Sequence, residues 1–243
     1  MTTSPPKTAL VIGAGPGLGM SIAHRFGREG YRVALVSRTD TRHAAYRESL
    51  AEAGVEAASF VADVGAGDRL AAALDAVAER FGTIDVVYYG PGAADPAERP
   101  ESILKTDVAS VRNAMGVVYP AVDLVQHVLP GMIERGEGSL LFAGGLSAVM
   151  PMPPLGALAL ASAALRNYAL TLNAGLAEHG VYAGALTIGG LIDRGDIFRY
   201  VTSQPGRFGD VGSMTLDPDE IADAAWDLHA KRDRAEATFS AFA

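Results

Sequence analysis

Residues 11–19 read Val11-Ile12-Gly13-Ala14-Gly15-Pro16-Gly17-Leu18-Gly19, and they indicate the architecture of the whole chain. An apolar run leads into them, which is typical of a buried parallel strand, and apolar residues at helical spacing follow as far as residue 30. Glycines between a strand and a helix let the backbone approach a pyrophosphate, and the unpaired N–H groups at the helix start favour negative charge. We therefore expect a dinucleotide site rather than a tight turn without a ligand. Its predicted residues are Gly13, Gly15, Pro16, Gly17, Leu18 and Gly19.

The end of the second predicted strand indicates which dinucleotide is bound. Residues 32–36 are apolar after Arg32, and Ser37-Arg38 follows them. In dinucleotide sites an acidic residue here binds the ribose 2′-OH, whereas a basic residue accommodates a 2′-phosphate. Arg38 occupies this position and Arg42 follows one helical turn later, so Ser37 and Arg38 predict NADP(H) rather than NAD(H). The alternative is that Arg38 is a solvated loop charge.

The composition is that of an ordinary globular domain. The 243 residues are enough for one α/β core, no linker divides them, and 49% are hydrophobic against 20% charged. A net charge of −8 argues against nucleic acid and anionic membranes as partners. The absence of cysteine excludes disulfides and thiolate metal sites, and the five histidines are scattered, so we predict no metal site. No N-terminal h-region and no long apolar span are evident, which predicts a cytoplasmic protein.

Strand and helix patterns alternate along the chain, which predicts a single α/β domain over residues 1–243 with a doubly wound parallel sheet and helices on both faces. The predicted strands cover residues 9–12, 32–36, 56–62, 84–89, 139–143, 181–188 and 236–240. Predicted helices cover residues 41–53, 68–81, 101–114, 117–135 and 155–178, and a last helix starts at residue 217. Residues 1–6 are a predicted polar arm, 93–100 a polar loop, and 189–216 a substrate lid.

Further motifs follow the glycine turn in an order that is similar to one enzyme family. Asp63-Val64 follows the third strand, residues 85–92 end the fourth, Asn113 lies near a helix junction, and Gly189-Gly190 follows the sixth strand. On these motifs the chain resembles the classical short-chain dehydrogenase/reductase family over nearly its whole length. The resemblance implies a Rossmann-fold oxidoreductase that binds a nicotinamide dinucleotide. It also implies further cofactor contacts at Asp63, Val64, Tyr89, Gly90, Gly190 and Ile192.

The catalytic residues of that family are largely missing from this sequence. The family uses a tyrosine as acid/base, a lysine one helical turn later and a serine on the substrate oxygen. Aligning Ser162-Ala163-Ala164-Leu165 with the end of the active-site helix places the tyrosine position at Leu158, the lysine position at Ser162 and the serine position at Gly145. Only the asparagine, Asn113, is retained. A shifted alignment does not restore the set, because Tyr168 has leucine four residues later.

A few polar side chains near the predicted strand ends are candidates to replace the lost groups. Ser147 lies two residues beyond the lost serine position, and we name Ser147 and Asn113 as the candidate catalytic residues, with a plain loop serine as the alternative. The remaining candidates are Tyr88, Tyr89, Tyr119, Asp193 and Arg194. The apolar residues that would form a pocket floor, which favours an apolar substrate, are Met150, Pro151, Met152, Pro153, Pro154 and Leu158.

Three functional hypotheses fit these residues. The first is an atypical NADP(H)-dependent oxidoreductase that reduces an iminium or an activated alkene, with a water held by Asn113 as the proton source. The second is a non-redox sensor or partner subunit that keeps NADP(H) as a ligand, and the third is a pocket repurposed for a non-redox step. In each case the apolar helix over residues 155–176 predicts a homodimer or homotetramer.

Overall fold

Parallel strands form the core of the protein, which a computed structural model describes for residues 6–92 and 100–242. The strands are Thr8–Ile12 (β1), Arg32–Ser37 (β2), Ala57–Val61 (β3), Val86–Tyr89 (β4), Gly138–Gly145 (β5), Val181–Gly189 (β6), Leu191–Ile192 (β7), Thr215–Leu216 (β8) and Glu236–Ser240 (β9). Seven of them form one parallel sheet in the order β3-β2-β1-β4-β5-β6-β9, and β7 pairs with β8. The predicted doubly wound parallel sheet is confirmed. The strand order reverses between β1 and β4, where such folds have their ligand crevice.

Helices cover both faces of the sheet because the buried strands are apolar on both sides. The helices are Leu18–Arg28 (α1), His43–Glu52 (α2), Gly67–Phe81 (α3), Val108–Ala114 (α4), Tyr119–Arg135 (α5), Gly156–Gly175 (α6), Asp196–Thr202 (α7), Pro205–Phe208 (α8) and Pro218–Lys231 (α9). One core layer lies between the sheet and α3, α5 and α6, and the other lies under α1, α2 and α9. Successive side chains of β1 point into opposite core layers, with Leu10 in the first layer and Val11 in the second.

Some predicted element boundaries were wrong, and local hydrogen bonds explain why. The helix predicted over 101–114 is instead a short 3₁₀ turn, Ile103–Lys105, followed by α4. Ser102 caps the turn, and the Asp107 carboxylate accepts a hydrogen bond of 2.7 Å from the Ser110 N–H, which starts a separate helix. The polar arm predicted for 1–6 and the loop predicted for 93–100 lie almost entirely outside the described residues.

Helix α6 is apolar on nearly all sides, as the sequence predicts. It therefore belongs to a long apolar segment of the kind that we did not expect in this chain. The segment Pro153–Gly175 is long and apolar enough to cross a membrane by length and composition, with a mean hydropathy of 1.2. Ala161, Leu165 and Ala169 of this helix are buried against the sheet. Only 28% of its most apolar window is buried, so most of the helix surface is not covered by the rest of the described chain.

The segment over residues 189–216 contains more regular structure than a lid loop. It carries β7, α7, α8 and β8, and the hydrogen-bonded pair β7–β8 joins its two ends. Residue 192 pairs with Leu216 in that small sheet. The polar, glycine-bearing sequence gave no periodic pattern for such short elements, which is why the prediction treated the segment as a single lid.

Candidate functional site

The glycine turn brings the end of β1 against the end of β4. Gly13 has a φ of 91°, and a Cβ atom on it would collide with the carbonyl oxygen of Gly90, so both conformation and space require glycine. The N–H groups of Gly13 and Ala14 donate to the carbonyl oxygen of Val36, at 3.0 Å and 3.1 Å. The first turn of α1 has neither an acidic residue nor a side-chain cap, although the Met20 N–H already donates to the carbonyl oxygen of Gly15 at 3.0 Å.

The residues predicted to contact the adenosine lie at the ends of β2 and β3. The Ser37 hydroxyl donates to the carbonyl oxygen of Thr39 at 2.9 Å and lies 2.7 Å from the ring of His43. Arg38 is exposed at the end of β2. Asp63 accepts a hydrogen bond of 3.0 Å from the Gly65 N–H, which shapes the turn after β3. These positions form one edge of the crevice beside the glycine turn.

Arg42 binds a partner that the sequence did not reveal. Its guanidinium makes two hydrogen bonds to the carboxylate of Asp196, at 2.7 Å and 2.8 Å. The hydrogen bonding to Asp196 raises the pKa of Arg42 above its usual range. Because Asp196 begins α7, this ion pair ties the 189–216 segment to the start of α2.

The two tyrosines of β4 face opposite layers of the core. Tyr89 is fully buried, and its hydroxyl donates to the carbonyl oxygen of Val117 at 2.8 Å. The ring is enclosed by the core, so only the backbone of Tyr89 is left for the cofactor contact that the family resemblance implies. Tyr88 is also buried and its ring lies over Gly90, in the space that a Cβ atom at position 90 would take. Burial raises the pKa of both hydroxyls above the usual range.

Three positions that the catalytic alignment singled out converge at the end of β5. A Cβ atom on Gly145 would lie 3.1 Å from the Ser162 hydroxyl oxygen and 3.3 Å from that of Ser147. Both serines are half-buried, and neither hydroxyl has a hydrogen-bond partner within residues 6–92 and 100–242. Leu158, one turn before Ser162 on α6, is 45% exposed and offers no proton. The structure thus places two neutral hydroxyls around the backbone of Gly145.

The other candidate catalytic residues lie on α4, α5 and α6. Asn113 is exposed in the last turn of α4, and its side chain has no hydrogen bond to the described residues. Tyr119 is 56% exposed at the start of α5. Tyr168 is half-buried and packs edge-on against Phe142, with 5.9 Å between ring centroids. Tyr168 thus packs against the core layer formed with α3, α5 and α6.

A short segment after β7 crosses the glycine turn, and we call residues 193–196 the strap. A Cβ atom on Gly17 would lie 3.0 Å from the carbonyl oxygen of Asp193 and 3.1 Å from the Cα of Gly195. Arg194 adopts a left-handed φ of 64°. Its guanidinium lies 2.8 Å from the carboxylate of Asp219 and donates to the Ser21 hydroxyl at 3.2 Å. The Arg194 side chain therefore pairs with a carboxylate at the start of α9 and not with Asp193. The Asp193 carboxylate instead accepts a hydrogen bond from the backbone N–H of Arg194.

Gly190 and Ile192 support the strap rather than project freely into the crevice. A Cβ atom on Gly190 would lie 2.9 Å from the side chain of Leu216, so a larger residue would push β7 away from β8.

The apolar residues predicted as a pocket floor differ in their exposure. Met150 and Met152 are half-buried, whereas Pro151, Pro153, Pro154 and Leu158 are exposed. Among the described residues no group of three histidine or acidic side chains could hold a metal ion.

Comparison with known sequences identifies relatives over most of the chain. The sequence profile of the short chain dehydrogenase family matches residues 7–199. A protein of Streptomyces coelicolor that is described as a ketoacyl reductase is 34% identical over 163 residues, which are 65% of this chain and 61% of that protein. The chain thus spans about three fifths of the length of this curated relative.

Solved structures resemble the chain over its whole length at lower identity. A metagenomic short-chain oxidoreductase in complex with NADP has a TM-score of 0.78 at 22% identity, covering 98% of this chain and 99% of that one. L-sorbose reductase from Gluconobacter frateurii, complexed with NADPH and L-sorbose, has a TM-score of 0.81 at 22% identity, covering 98% and 96%. At these identities the likeness establishes the shared Rossmann fold.

Proposed function

The chain belongs to the short-chain dehydrogenase family, and we propose that it is an atypical NADP(H)-dependent oxidoreductase. The observation that carries the proposal is the close contact between Gly13 and Gly90, which brings the glycine turn and the start of α1 to the carboxyl ends of the strands, beside Arg38. Two structurally similar proteins that were solved in complex with NADP and with NADPH support the same cofactor. When bound, NADPH supplies a hydride, and the protein supplies orientation and electrostatics.

The cofactor would extend along the carboxyl ends of the strands. We place the 2′-phosphate at Ser37 and Arg38 and the adenine beside Asp63 and Val64. The pyrophosphate would lie on the glycine turn, and the nicotinamide would lie near Gly190 and Ile192. Tyr89 contributes no side chain to this arrangement, since its ring is buried.

The absence of the tyrosine and lysine limits the reaction that this site can assist. Leu158 cannot transfer a proton and Gly145 has no side chain to bind an oxygen. We propose a small, largely apolar substrate that accepts a hydride without a strong protein acid, with Ser147 as an orienting group. Asn113 is exposed, and we propose that it orients the water that gives up a proton.

Turnover by the purified protein tests this proposal. Activated alkenes and cyclic iminium compounds are supplied with NADPH, and the loss of nicotinamide absorbance is followed. We expect oxidation of NADPH with at least one of these substrate classes and none with simple ketones, because reduction of a ketone yields a strongly basic alkoxide that needs an acid. A protein that never oxidises NADPH with either class would contradict the redox proposal.

A second candidate function is an NADP(H)-binding sensor or partner subunit. The loss of all three serine, tyrosine and lysine positions favours it, as does the strap, which lies directly on Gly17 and is held by ion pairs from Arg42 and Arg194. Such a protein would bind NADPH without turnover, and activity would appear only after mixing with an active relative. A pocket used for a non-redox step is the remaining alternative, and it predicts turnover that is independent of NADPH.

Self-association and cellular location complete the proposal. The outward side of α6 exposes Leu158 and Leu160 at 45% and 46%, and a cavity of about 310 Å³ lies beside Tyr168 and Leu172. We propose that a second copy covers this surface in a homodimer or homotetramer, and that the protein is cytoplasmic. A small molecule, and not a nucleic acid, is the expected substrate, given the net charge of −8.

A further inference from the structure

We propose that the strap, residues 193–196, is a latch that fills the place of the cofactor pyrophosphate on Gly17 and must swing away before a dinucleotide binds. This inference rests on the proposed function, because it concerns how the same site admits NADP(H). Arg194 and Asp196 of the strap each form an ion pair that holds the latch closed. The carboxylates of these pairs therefore weaken cofactor binding by stabilising the closed strap.

Three glycines of the turn each have a different close neighbour. A Cβ atom on Gly13 would collide with the carbonyl group of Gly90, and one on Gly19 would lie 2.5 Å from the carbonyl oxygen of Gly13. The turn itself therefore requires both of these glycines. In dinucleotide-binding folds the middle glycine is small so that the backbone can approach the pyrophosphate. In this chain the backbone atoms that come close to the middle glycine, Gly17, belong to the strap.

The strap lies in direct contact with Gly17 and takes the space on this side of the glycine turn. A Cβ atom on Gly17 would lie 3.0 Å from the carbonyl oxygen of Asp193 and 3.1 Å from both the nitrogen and the Cα of Gly195. These are backbone atoms, so no side-chain rotation clears the position. A lid that covers a bound cofactor would instead be separated from the turn by the thickness of a phosphate group. The closed strap and a bound pyrophosphate therefore exclude each other.

Ion pairs hold the strap on the glycine turn, and none of its four residues is buried. Arg42, at the start of α2, makes two hydrogen bonds of 2.7 Å and 2.8 Å to the carboxylate of Asp196. The Arg194 guanidinium lies 2.8 Å from the Asp219 carboxylate of α9 and donates to the Ser21 hydroxyl at 3.2 Å. The paired side chains are 42% to 55% exposed, so each pair is weak and the latch can open.

The backbone of the strap contains a strained residue beside a fixed hinge. Arg194 has a φ of 64°, in the left-handed region that a residue other than glycine rarely adopts. Such a conformation persists only where neighbouring contacts hold it, and it is characteristic of switch segments. The N–H of the preceding residue, Asp193, donates to the carbonyl oxygen of Leu216 at 3.0 Å, which anchors the strap to the β7–β8 pair. Loss of the ion pairs therefore lets the strap relax away from Gly17 about this anchor.

Opening of the latch releases Arg42 at the edge of the crevice where we place the 2′-phosphate. Arg42 directly precedes α2, and the ring of the next residue, His43, lies 2.7 Å from the Ser37 hydroxyl at the end of β2. A guanidinium binds phosphate oxygens in the same bidentate way as it binds a carboxylate. The 2′-phosphate of NADPH therefore replaces Asp196 as the partner of Arg42, whereas the 2′-OH of NADH does not.

Removal of the two carboxylates tests the latch through nucleotide affinity, read by nicotinamide fluorescence. We expect Asp196→Asn and Asp219→Asn each to lower the Kd by about two- to fivefold, for NADPH and NADH alike, because each removes one exposed ion pair from the closed state. The double variant should lower both Kd values by about five- to twentyfold. The matched control is Glu56→Gln, which breaks an exposed pair with Arg80 at 2.8 Å and should leave both values unchanged. Kd values equal to those of the wild type in all three latch variants overturn the inference.

The variant Arg42→Gln separates the latch from the contact with the 2′-phosphate. It breaks the same ion pair as Asp196→Asn, so the Kd for NADH should fall by about two- to fivefold. The Kd for NADPH should not fall, because the guanidinium that pairs with the 2′-phosphate is gone. The preference for NADPH should therefore shrink by about threefold or more in Arg42→Gln and stay unchanged in Asp196→Asn. An equal change of preference in both variants contradicts the exchange of partners at Arg42.

Hydrogen exchange, measured without any substrate, shows whether the strap opens when the cofactor binds. We expect saturating NADPH to speed amide exchange over the strap and α7, because the ion pair of Asp196 is broken. Slower exchange over the same residues is the signature of a lid that closes on its ligand, and it would overturn the latch. Nucleotide binding that no latch variant alters also overturns the latch, and leaves the proposed function intact. Failure of the wild type and of all three carboxylate variants to bind either nucleotide overturns the proposed function itself.

Discussion

At the residue scale, Tyr88 and Gly90 depend on each other. The Tyr88 ring lies along β4 over Gly90, where a Cβ atom would overlap its hydroxyl oxygen and ring carbons. Tyr182 lies over Gly184 of β6 in the same way, but its hydroxyl donates to the carbonyl oxygen of Arg234 at 2.8 Å. A large residue on a buried strand is thus accommodated by a glycine two positions later, on the same face of the sheet.

This pairing predicts coupled stability effects. Gly90→Ala should lower the free energy of unfolding by about 1–3 kcal/mol, because overpacking displaces the Tyr88 ring. The same change in a Tyr88→Val background should cost less than about 0.5 kcal/mol, since the ring is gone. Chemical denaturation of the four proteins of this cycle gives the coupling. Gly92→Ala is the control, with nothing within 4 Å of the added methyl group. Additive costs at the two positions would show that the ring and the methyl group do not compete.

His229 predicts a pH dependence of stability. Its ring lies 2.9 Å from the Tyr31 hydroxyl and 2.8 Å from the Ser139 hydroxyl, and burial, followed by the charge of Arg232, lowers the pKa of His229 to about 4. The unfolded chain titrates near 6.5, so it binds the proton first as the pH falls. The stabilisation is complete above pH 6.5 and is lost as the pH falls toward 4.

The size of this effect is measurable by denaturant unfolding at two pH values. After allowance for the partial exposure of His229, we expect the wild type to lose about 1–2 kcal/mol between pH 7 and pH 5 from this one group. His229→Gln should lack that part of the loss, although it is less stable at pH 7 because the ring bonds are gone. Parallel pH profiles for the two proteins would show that His229 is not a buried neutral group.

The sequence predicted the surroundings of some site residues and not those of others. The need for glycine at Gly13 and the exposure of Arg38 follow from local pattern, because both lie in the glycine turn and strand end that the motif defines. The burial of the Tyr89 ring was not predictable, since strand periodicity does not tell which of two successive tyrosines faces which layer of a sheet buried on both sides. The approach of Ser162 to Ser147 depends on the packing of α6 against β5, which no local pattern contains.

At the element scale, the strap is held by ion pairs from two sides. Arg42 on the start of α2 binds Asp196, and Arg194 binds Asp219 on α9, while the backbone of the strap rests on Gly17. These side chains are 42% to 55% exposed, so each pair contributes little to global stability. Their effect is local, because they fix a short segment that has few buried contacts of its own.

Asp196→Asn should therefore loosen the strap without unfolding the protein. We expect faster amide exchange over α7, while the global free energy of unfolding changes by less than about 1 kcal/mol. Hydrogen exchange read by mass spectrometry resolves the two effects. Glu56→Gln is the matched control, because it breaks a similar exposed pair with Arg80 at 2.8 Å far from the strap. Unchanged exchange over α7 would mean that packing on Gly17, and not the ion pair, holds the strap.

Periodicity predicted the long elements and failed for the short ones. The strands of the main sheet and helices such as α3 and α5 are close to their predicted positions, because each carries several apolar residues at the period of its structure. The break before α4 and the elements inside residues 189–216 are set by caps, ion pairs and contacts with distant residues. A sequence window does not contain those distant partners.

At the scale of the whole molecule, the exposed apolar side of α6 predicts self-association. We expect light scattering to give a dimer or tetramer, and Leu160→Glu, which places a charge on this face, to shift it toward the monomer by at least tenfold in dissociation constant. Val61→Glu is the control, because Val61 is 54% exposed on the edge strand β3, away from α6. A wild-type monomer, or dissociation caused equally by both variants, would contradict an interface at α6.

The architecture as a whole was predictable because one motif carries most of its constraints. A glycine turn after a buried strand implies the parallel sheet, the crossover helices and the crevice at the strand ends, and all three are present. The reaction was less predictable, because it depends on which side chains approach one point from different elements. The missing tyrosine and lysine show which chemistry is unavailable, and the convergence of Ser147 and Ser162 required the folded chain.

The central claim is that this protein binds NADP(H) through the glycine turn and Arg38. Titration of the purified protein with NADPH and with NADH, followed by nicotinamide fluorescence, tests it most directly. We predict tight binding of NADPH, at least tenfold weaker binding of NADH, and loss of that preference in Arg38→Asp, because the carboxylate repels the 2′-phosphate and favours a free 2′-OH. Failure of both nucleotides to bind, or an unchanged preference in Arg38→Asp, would contradict the account.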